Sequence, residues 1–179
     1  MANRIQVNGK NFKKYIEETD IQARIGELSS MLTQVYRDKD PLFIGVLNGG
    51  VFFAADLFKQ FEFECEITFV KLTSYKGMTS TGTVNEVIGL DTDVSGREVV
   101  VLEDIIDTGK TLYEFMPRLL EQGAKSARLA ALLLKPDALK YDVKVDYIGF
   151  SVPNKFLVGY GLDFDQKGRN FRDIYQLDE

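Results

Sequence analysis

Four consecutive apolar residues, Val99-Val100-Val101-Leu102, run straight into two adjacent carboxylates, Glu103 and Asp104. Ile105 and Ile106 follow, then the short polar stretch Asp107-Thr108-Gly109-Lys110, and a helical pattern begins at Thr111. An unbroken apolar row marks a strand covered on both faces, which is the habit of parallel sheets with helices on either side. Such sheets bind ligands at the carboxyl ends of their strands. The order therefore predicts a buried strand, an acidic pair where it emerges, and a turn feeding a helix N-terminus. That terminus offers free N–H groups and a favourable dipole to a phosphate. Gly109 lets the backbone approach the phosphate, and the Thr108 and Thr111 hydroxyls can donate to it.

The rest of the chain supports this architecture. Residues 19–39 read as a helix: Asp20 is placed to cap it, and Ile21, Ile25, Leu28, Leu32 and Val35 recur at helical spacing. Leu42-Phe43-Ile44-Gly45-Val46-Leu47 is a second buried strand. Asn48-Gly49-Gly50 interrupts it before a helix over 51–59. Strand signals recur at 64–72, 87–90, 128–134 and 147–152, with a turn at 91–96 between them. A helix over 111–122 ends at Gly123, with Pro117 placed to kink or shorten it. Residues 74–83 are polar and aperiodic and read as a mobile loop. No repeat, low-complexity tract or linker divides the chain, so a single domain over 1–179 is expected. The fold class is α/β with a mainly parallel central sheet flanked by helices.

Composition narrows the chemistry. The chain has no His, which removes Ser-His and Cys-His nucleophile pairs, His metal ligands and a His base. A single Cys, Cys65, removes an internal disulfide and a thiolate zinc cluster; it reads as a strand residue. With 22 basic against 27 acidic residues the net charge is −5, against a broad nucleic-acid footprint. No apolar run approaches the ~20 residues that span a bilayer, and the first residues lack the apolar core of a signal peptide. The expected partners therefore include no nucleic acid and no membrane, and the expected location is the reducing cytoplasm.

Glu103 and Asp104 would repel a phosphate, whereas neighbouring carboxylates suit sugar hydroxyls or a divalent cation. A ligand satisfying both halves of the segment carries a phosphate, a hydroxylated sugar and a magnesium-bound group; a phosphorylated ribose has these parts. The competing motif is the P-loop, whose end Gly109-Lys110-Thr111 supplies, but its first glycine falls on Asp104. A carboxylate there sits where backbone must cradle polyphosphate. The plain structural alternative is a capped acidic strand-to-helix turn.

Glu103-Asp104-Ile105-Ile106-Asp107-Thr108-Gly109-Lys110-Thr111 resembles the 5-phosphoribosyl-1-pyrophosphate signature of type I phosphoribosyltransferases. Four further blocks narrow the resemblance to the hypoxanthine-guanine phosphoribosyltransferases. They are Leu47-Asn48-Gly49-Gly50, Leu72-Thr73-Ser74-Tyr75, Leu134-Lys135-Pro136 and the run from Lys155 to Asp163. The resemblance covers roughly 41–169. It implies the type I phosphoribosyltransferase fold with a small hood and a mobile active-site loop. The implied reaction moves phosphoribose from 5-phosphoribosyl-1-pyrophosphate to N9 of hypoxanthine or guanine with Mg²⁺, giving IMP or GMP and pyrophosphate. A homodimer or homotetramer is implied as well.

The same resemblance implies site roles. Glu103 and Asp104 would hold the ribose hydroxyls directly or through magnesium. Asp107, Thr108, Gly109, Lys110 and Thr111 would wrap the 5-phosphate, and Asp107 would serve as general base towards purine N7, or else cap the helix. Lys135 would donate to purine O6, against the ordinary reading of a solvated loop lysine. Phe156 would stack on the base, unless it is core, and the Leu157 or Val158 backbone would read the base edge. Asp163 would be a further magnesium ligand. Arg169 would contact pyrophosphate, with Arg172 as its rival, and Lys71 would reach the same end. Ser74 and Tyr75 would begin the closing loop. Asn48 and Gly49 form the pyrophosphate turn, where many relatives carry Lys in place of Asn48. A cis peptide at Leu47-Asn48 is implied too.

Overall fold

The apolar rows form the middle of a six-stranded sheet. The computed structural model describes residues 3–74 and 84–178, without the side chains of 73, 74 and 84–88. In chain order the elements begin with β1 (Arg4–Val7), β2 (Lys10–Ile16), α1 (Glu18–Tyr36), β3 (Leu42–Leu47) and α2 (Gly50–Phe58). Next come β4 (Glu66–Ser74), β5 (Val84–Ile88), β6 (Glu98–Ile106), α3 (Lys110–Glu121) and β7 (Ser126–Leu134). A single 3-10 turn (Pro136–Ala138) precedes β8 (Tyr147–Ser151), β9 (Leu157–Val158) and β10 (Ile174–Leu177).

The large sheet has the order β5-β4-β3-β6-β7-β8. Its last five strands run parallel, and β5 pairs antiparallel with β4. Helices α1 and α2 cover one face through Ile21, Ile25, Leu28, Leu32, Phe53 and Leu57. Helix α3 covers the other through Leu112, Phe115 and Leu119. Valines 99 to 101 and Leu102 are fully buried between the two layers, as their unbroken row requires. The second sheet, β1-β2-β10-β9, is antiparallel and joins the chain's two ends as a small hood. Sequence reasoning assigned no strands there. Its members are short and half polar, so an apolar face shows only after the termini meet. Among the described residues no helix is long and apolar enough to cross a membrane.

Several local expectations change. Asp20 does not cap α1: the Glu18 N–H donates instead to Asp173 Oδ1 at 2.8 Å, a residue 155 positions away. Val35 is exposed, and Tyr36 takes the buried position at the end of the α1 stripe. Cys65 lies half-buried just before β4 rather than within it. Helix α3 runs through Pro117 to Glu121. The expected loop 74–83 lies, apart from the backbone of Ser74, outside the described residues, and Tyr75 with it.

Candidate active site

The largest departure from expectation makes the site. Strand β6 does not end at Leu102 but continues to Ile106, carrying Glu103 and Asp104 within it. It pairs with β3 only from Leu42↔Val99 to Gly45↔Leu102, whereas its pairing with β7 persists to Ile106↔Leu134. Beyond Leu102 the β3 side of β6 is open. Chain order also reverses here, with β4 placed on one flank of β3 and β6 on the other, which is the switch point where open sheets bind ligands. A cleft of about 310 Å³ fills the split. Val46 to Gly49 line one wall, residues 103–112 the other, and Asp163 and Arg169 close the end.

The β3 wall turns through a cis peptide at Leu47-Asn48, with Asn48 exposed and Gly49 buried. Gly49 has helical angles, φ −66° and ψ −40°, so its backbone does not call for glycine. Space does: a Cβ there would fall 1.6 Å from Asp104 Oδ2 and 3.1 Å from the Gly161 carbonyl oxygen. Gly161 in turn, at φ 94°, would put a Cβ 2.3 Å from the Gly49 oxygen. Gly49 and Gly161 therefore meet backbone to backbone, with the Asp104 carboxylate packed against Gly49.

Asp104 is buried and accepts from the Ile105 N–H at 2.7 Å, and the Asp104 N–H donates to Glu103 Oε1 at 3.1 Å. Burial first, then the like charge of Asp104, pushes Glu103 well above the ordinary carboxylate range. Burial also raises Asp104, against hydrogen bonds and the positive charge of Arg169 that pull it down. Two oxygen donors that resist joint ionisation suit a hard cation or sugar hydroxyls, so the pair fits Mg²⁺. Among the described residues no three Asp, Glu, Cys or His side chains converge as a ready cage.

Past Ile106 the chain turns through Asp107 and Thr108, both exposed, to Gly109 in the left-handed region at φ 80°. Gly109 is the N-cap of α3, and the Lys110 N–H donates to Thr108 Oγ1 at 3.5 Å rather than to Asp107, so Asp107 is not the cap. Lys110 and Thr111 form the first turn of α3. The Thr108 carbonyl accepts from the Lys140 and Tyr141 N–H groups at 3.0 and 3.3 Å, fixing the turn from behind. Asp107 faces Lys135, whose Nζ lies 3.4 Å from Oδ2. Lys135 is 7% exposed, so it is no solvated loop lysine; its N–H is held by the Ile106 carbonyl at 3.0 Å.

At the closed end Arg169 pairs with Asp163 at 2.8 Å and donates to the Gly161 carbonyl at 2.7 Å. Asp163 Oδ2 accepts from the Gln166 N–H at 2.8 Å. Arg172 instead pairs with Glu18 at 3.5 Å, and of the two arginines only Arg169 lines the cleft. Lys71 lies in register with Leu47, beside the cis turn but not among the cleft's walls.

Phe156, Leu157 and Val158 belong to the hood rather than to the cleft walls. Phe156 is 45% exposed, with its ring 5.4 Å from that of Phe164 and 6.3 Å from that of Phe12. It is thus a half-open platform rather than core. Val158 pairs with Tyr175, and the Leu177 N–H donates to the Phe156 carbonyl at 2.9 Å. Antiparallel pairing alternates, so the Leu157 backbone groups point outward from the free edge of β9. Sequence reasoning left Leu157 and Val158 as alternatives; in this register it is Leu157 whose backbone groups face away from β10.

A phosphoribosyl transferase domain model matches residues 15–165, and the chain belongs to that family. Its relatives are more particular. The chain is 38% identical over 176 residues to a hypoxanthine-guanine phosphoribosyltransferase of Aquifex aeolicus, covering 97% of this chain and 99% of that one. It is 44% identical over 163 residues to a hypoxanthine-guanine-xanthine phosphoribosyltransferase of Tritrichomonas foetus, covering 90% and 89%. The crystal structure of a hypoxanthine phosphoribosyltransferase from Staphylococcus aureus superposes with a TM-score of 0.88 at 35% identity, covering 93% and 91%. The type I phosphoribosyltransferase fold and the transferase class follow.

Proposed function

We propose that the chain transfers phosphoribose from 5-phosphoribosyl-1-pyrophosphate to N9 of hypoxanthine or guanine, releasing pyrophosphate and giving IMP or GMP in purine salvage. The observation that carries this reading is the open edge of β6. There an acidic pair and a helix N-terminus stand a few residues apart, matching the two ends of one phosphorylated pentose. Glu103 and Asp104 hold the ribose hydroxyls, and Asp107 to Thr111 wrap the 5-phosphate through backbone N–H groups and hydroxyls. Asn48, Gly49 and Arg169 line the pyrophosphate end, with Lys71 beside them.

Catalysis here is positioning, charge neutralisation and one proton transfer. As the bond from ribose C1 to pyrophosphate lengthens, positive charge develops on the sugar and the base N9 attacks. Asp107 accepts the proton from purine N7 while Lys135 donates to O6. Phe156 packs on the base, and the Leu157 backbone reads its edge. Ser74 and Tyr75 begin the segment that excludes water from the reacting sugar. Glu103 with Asp104, and Asp163 at the pyrophosphate end, are the residues that would hold Mg²⁺, and the ion would supply positive charge to the departing pyrophosphate. We assign the whole chain to one catalytic domain, working in the cytoplasm as a homodimer or homotetramer.

The test is a panel of hypoxanthine, guanine, xanthine, adenine and uracil, each with 5-phosphoribosyl-1-pyrophosphate and magnesium. Turnover with hypoxanthine or guanine is expected. Failure with both overturns the substrate assignment.

A further inference from the structure

Two segments hold the far wall of the cleft: residues 159–163, which carry Asp163, and the loop with Arg169. Their backbones are laced together. The Tyr160 N–H donates to the Phe171 carbonyl at 2.7 Å and the Gly161 N–H to the Arg169 carbonyl at 3.0 Å. Tyr160 adopts a positive φ of 47°, a conformation that side-chain-bearing residues rarely occupy. From there its buried side chain crosses to α2, where its hydroxyl donates to Asp56 Oδ2 at 2.6 Å. Its ring lies 6.3 Å from that of Phe52 on the same helix.

Asp56 is itself fixed. Gln22 of α1 donates to the same oxygen at 2.8 Å, and Lys59 pairs with Oδ1 at 2.8 Å. The helix bearing Asp56 starts immediately after the Asn48-Gly49 turn. The Tyr160–Asp56 bond therefore joins the element carrying one wall of the cleft to the segment carrying the other. Where the walls touch, Gly49 and Gly161 leave no room even for a methyl group. A small drift of either segment would change the gap between Asn48 and Arg169.

We infer that the Tyr160–Asp56 hydrogen bond sets the width of the pyrophosphate end of the cleft, making Tyr160 and Asp56 positioning residues that touch no substrate atom. The inference rests on the transfer reaction proposed above and deepens it. It predicts an effect on the donor and not on the base, which sits at Lys135 and the hood.

Tyr160→Phe removes one hydroxyl and keeps the ring against Phe52. Gln22→Ala is the control, because it strips a donor from the same Asp56 oxygen without touching the wall. For each variant, unfolding temperature, kcat, both KM values and the calorimetric Kd for inorganic pyrophosphate with magnesium are measured. Tyr160→Phe should raise the donor KM and the pyrophosphate Kd about tenfold, equivalent to about 1.4 kcal/mol, with hypoxanthine KM within about twofold. Gln22→Ala should leave all these constants within about twofold, and Asp56→Asn added to Tyr160→Phe should add little, since the two act as one unit.

A folded Tyr160→Phe enzyme with unchanged donor KM and pyrophosphate Kd overturns the inference. So do donor and base constants that rise together in both Tyr160→Phe and Gln22→Ala, the pattern of general loosening. A wild-type chain that binds pyrophosphate but turns over no purine sinks the transfer reading, and the Kd comparison still judges the clamp. A wild-type chain that binds no pyrophosphate sinks the clamp.

Discussion

Replacing Gly49 by Ala isolates the close approach at the centre of the cleft. The residue already has helical angles, so alanine meets no conformational obstacle there. The new methyl carbon, however, would lie 1.6 Å from Asp104 Oδ2. An ordinary carbon–oxygen contact is roughly 3.4 Å, so the carboxylate must retreat by about 1.8 Å. Gly161 blocks relief in another direction, its carbonyl oxygen standing 3.1 Å from the same methyl position. Retreat gives up the 2.7 Å bond from the part-buried Ile105 N–H, and an orphaned donor there costs at most about 1–3 kcal/mol. The loss of stability is therefore up to about 1–3 kcal/mol, within what a folded domain of this size tolerates. Activity should suffer far more, because a misplacement of about 1 Å at a catalytic group costs about 100-fold. Steady-state transfer to hypoxanthine should show kcat/KM down at least about 100-fold, with denaturant unfolding lowered by no more than about 1–3 kcal/mol. The double variant Gly49→Ala/Asp104→Ala has room for the methyl and should be at least as stable as Asp104→Ala, without recovering activity. A Gly49→Ala enzyme within about threefold of wild type would show that the Asp104 position does not matter, and the reasoning would fail.

Three further substitutions probe other parts of the molecule. Glu103 and Asp104 are both raised, so between the ordinary carboxylate range and their folded values the native state holds more protons than the unfolded chain. Stability of the unliganded protein therefore falls as pH rises through that window, and Glu103→Gln should flatten the fall; parallel urea-denaturation curves for the two proteins across pH would contradict this. Asp107→Asn keeps shape but removes basicity. It should lower kcat by about 10²–10⁴ with pyrophosphate affinity little changed, and full turnover would refute the base assignment. Asp173 accepts from the Glu18 N–H and pairs with Lys14 at 3.2 Å. Burial pushes its carboxyl up, but these partners and Tyr175 outweigh burial and hold it low. Its contribution is thus present above the ordinary Asp range and is lost as pH falls through the lowered value. Asp173→Ala should cost about 1–3 kcal/mol near neutral pH, read by chemical denaturation, and unaltered stability would remove its role as the cap of α1.

What was legible in the sequence is what local patterning encodes. The apolar rows at 42–47 and 99–102 specified buried parallel strands because a two-sided strand has no polar face to display. The α1 stripe from Ile21 to Leu32 was equally plain, and it failed only at Val35, where the large Tyr36 ring packs edge-on against Phe43 at 6.5 Å. Chemistry that depends on neighbours in sequence, such as the acidic pair leading into an amide turn, was readable for the same reason. The rest depends on partners that the chain brings together only by folding. Nothing near Glu18 announces that Asp173 will cap its helix, and nothing near Leu102 says that β3 will turn away there while β6 runs on. Yet that divergence opens the cleft, and it explains why the carboxylates lie inside a strand rather than after one. Strand pairing likewise separates Leu157 from Val158, which are equivalent in composition but opposite in hydrogen-bonding direction. Asn48 gives the same lesson about charge. The Asn48 amide supplies no positive charge, but its turn faces a wall where Arg169 is fixed by Asp163, Gly161 and Gln166. The positive charge at this end of the cleft comes from a residue more than a hundred positions away, held in place by the same folding that leaves no room for a side chain at Gly49.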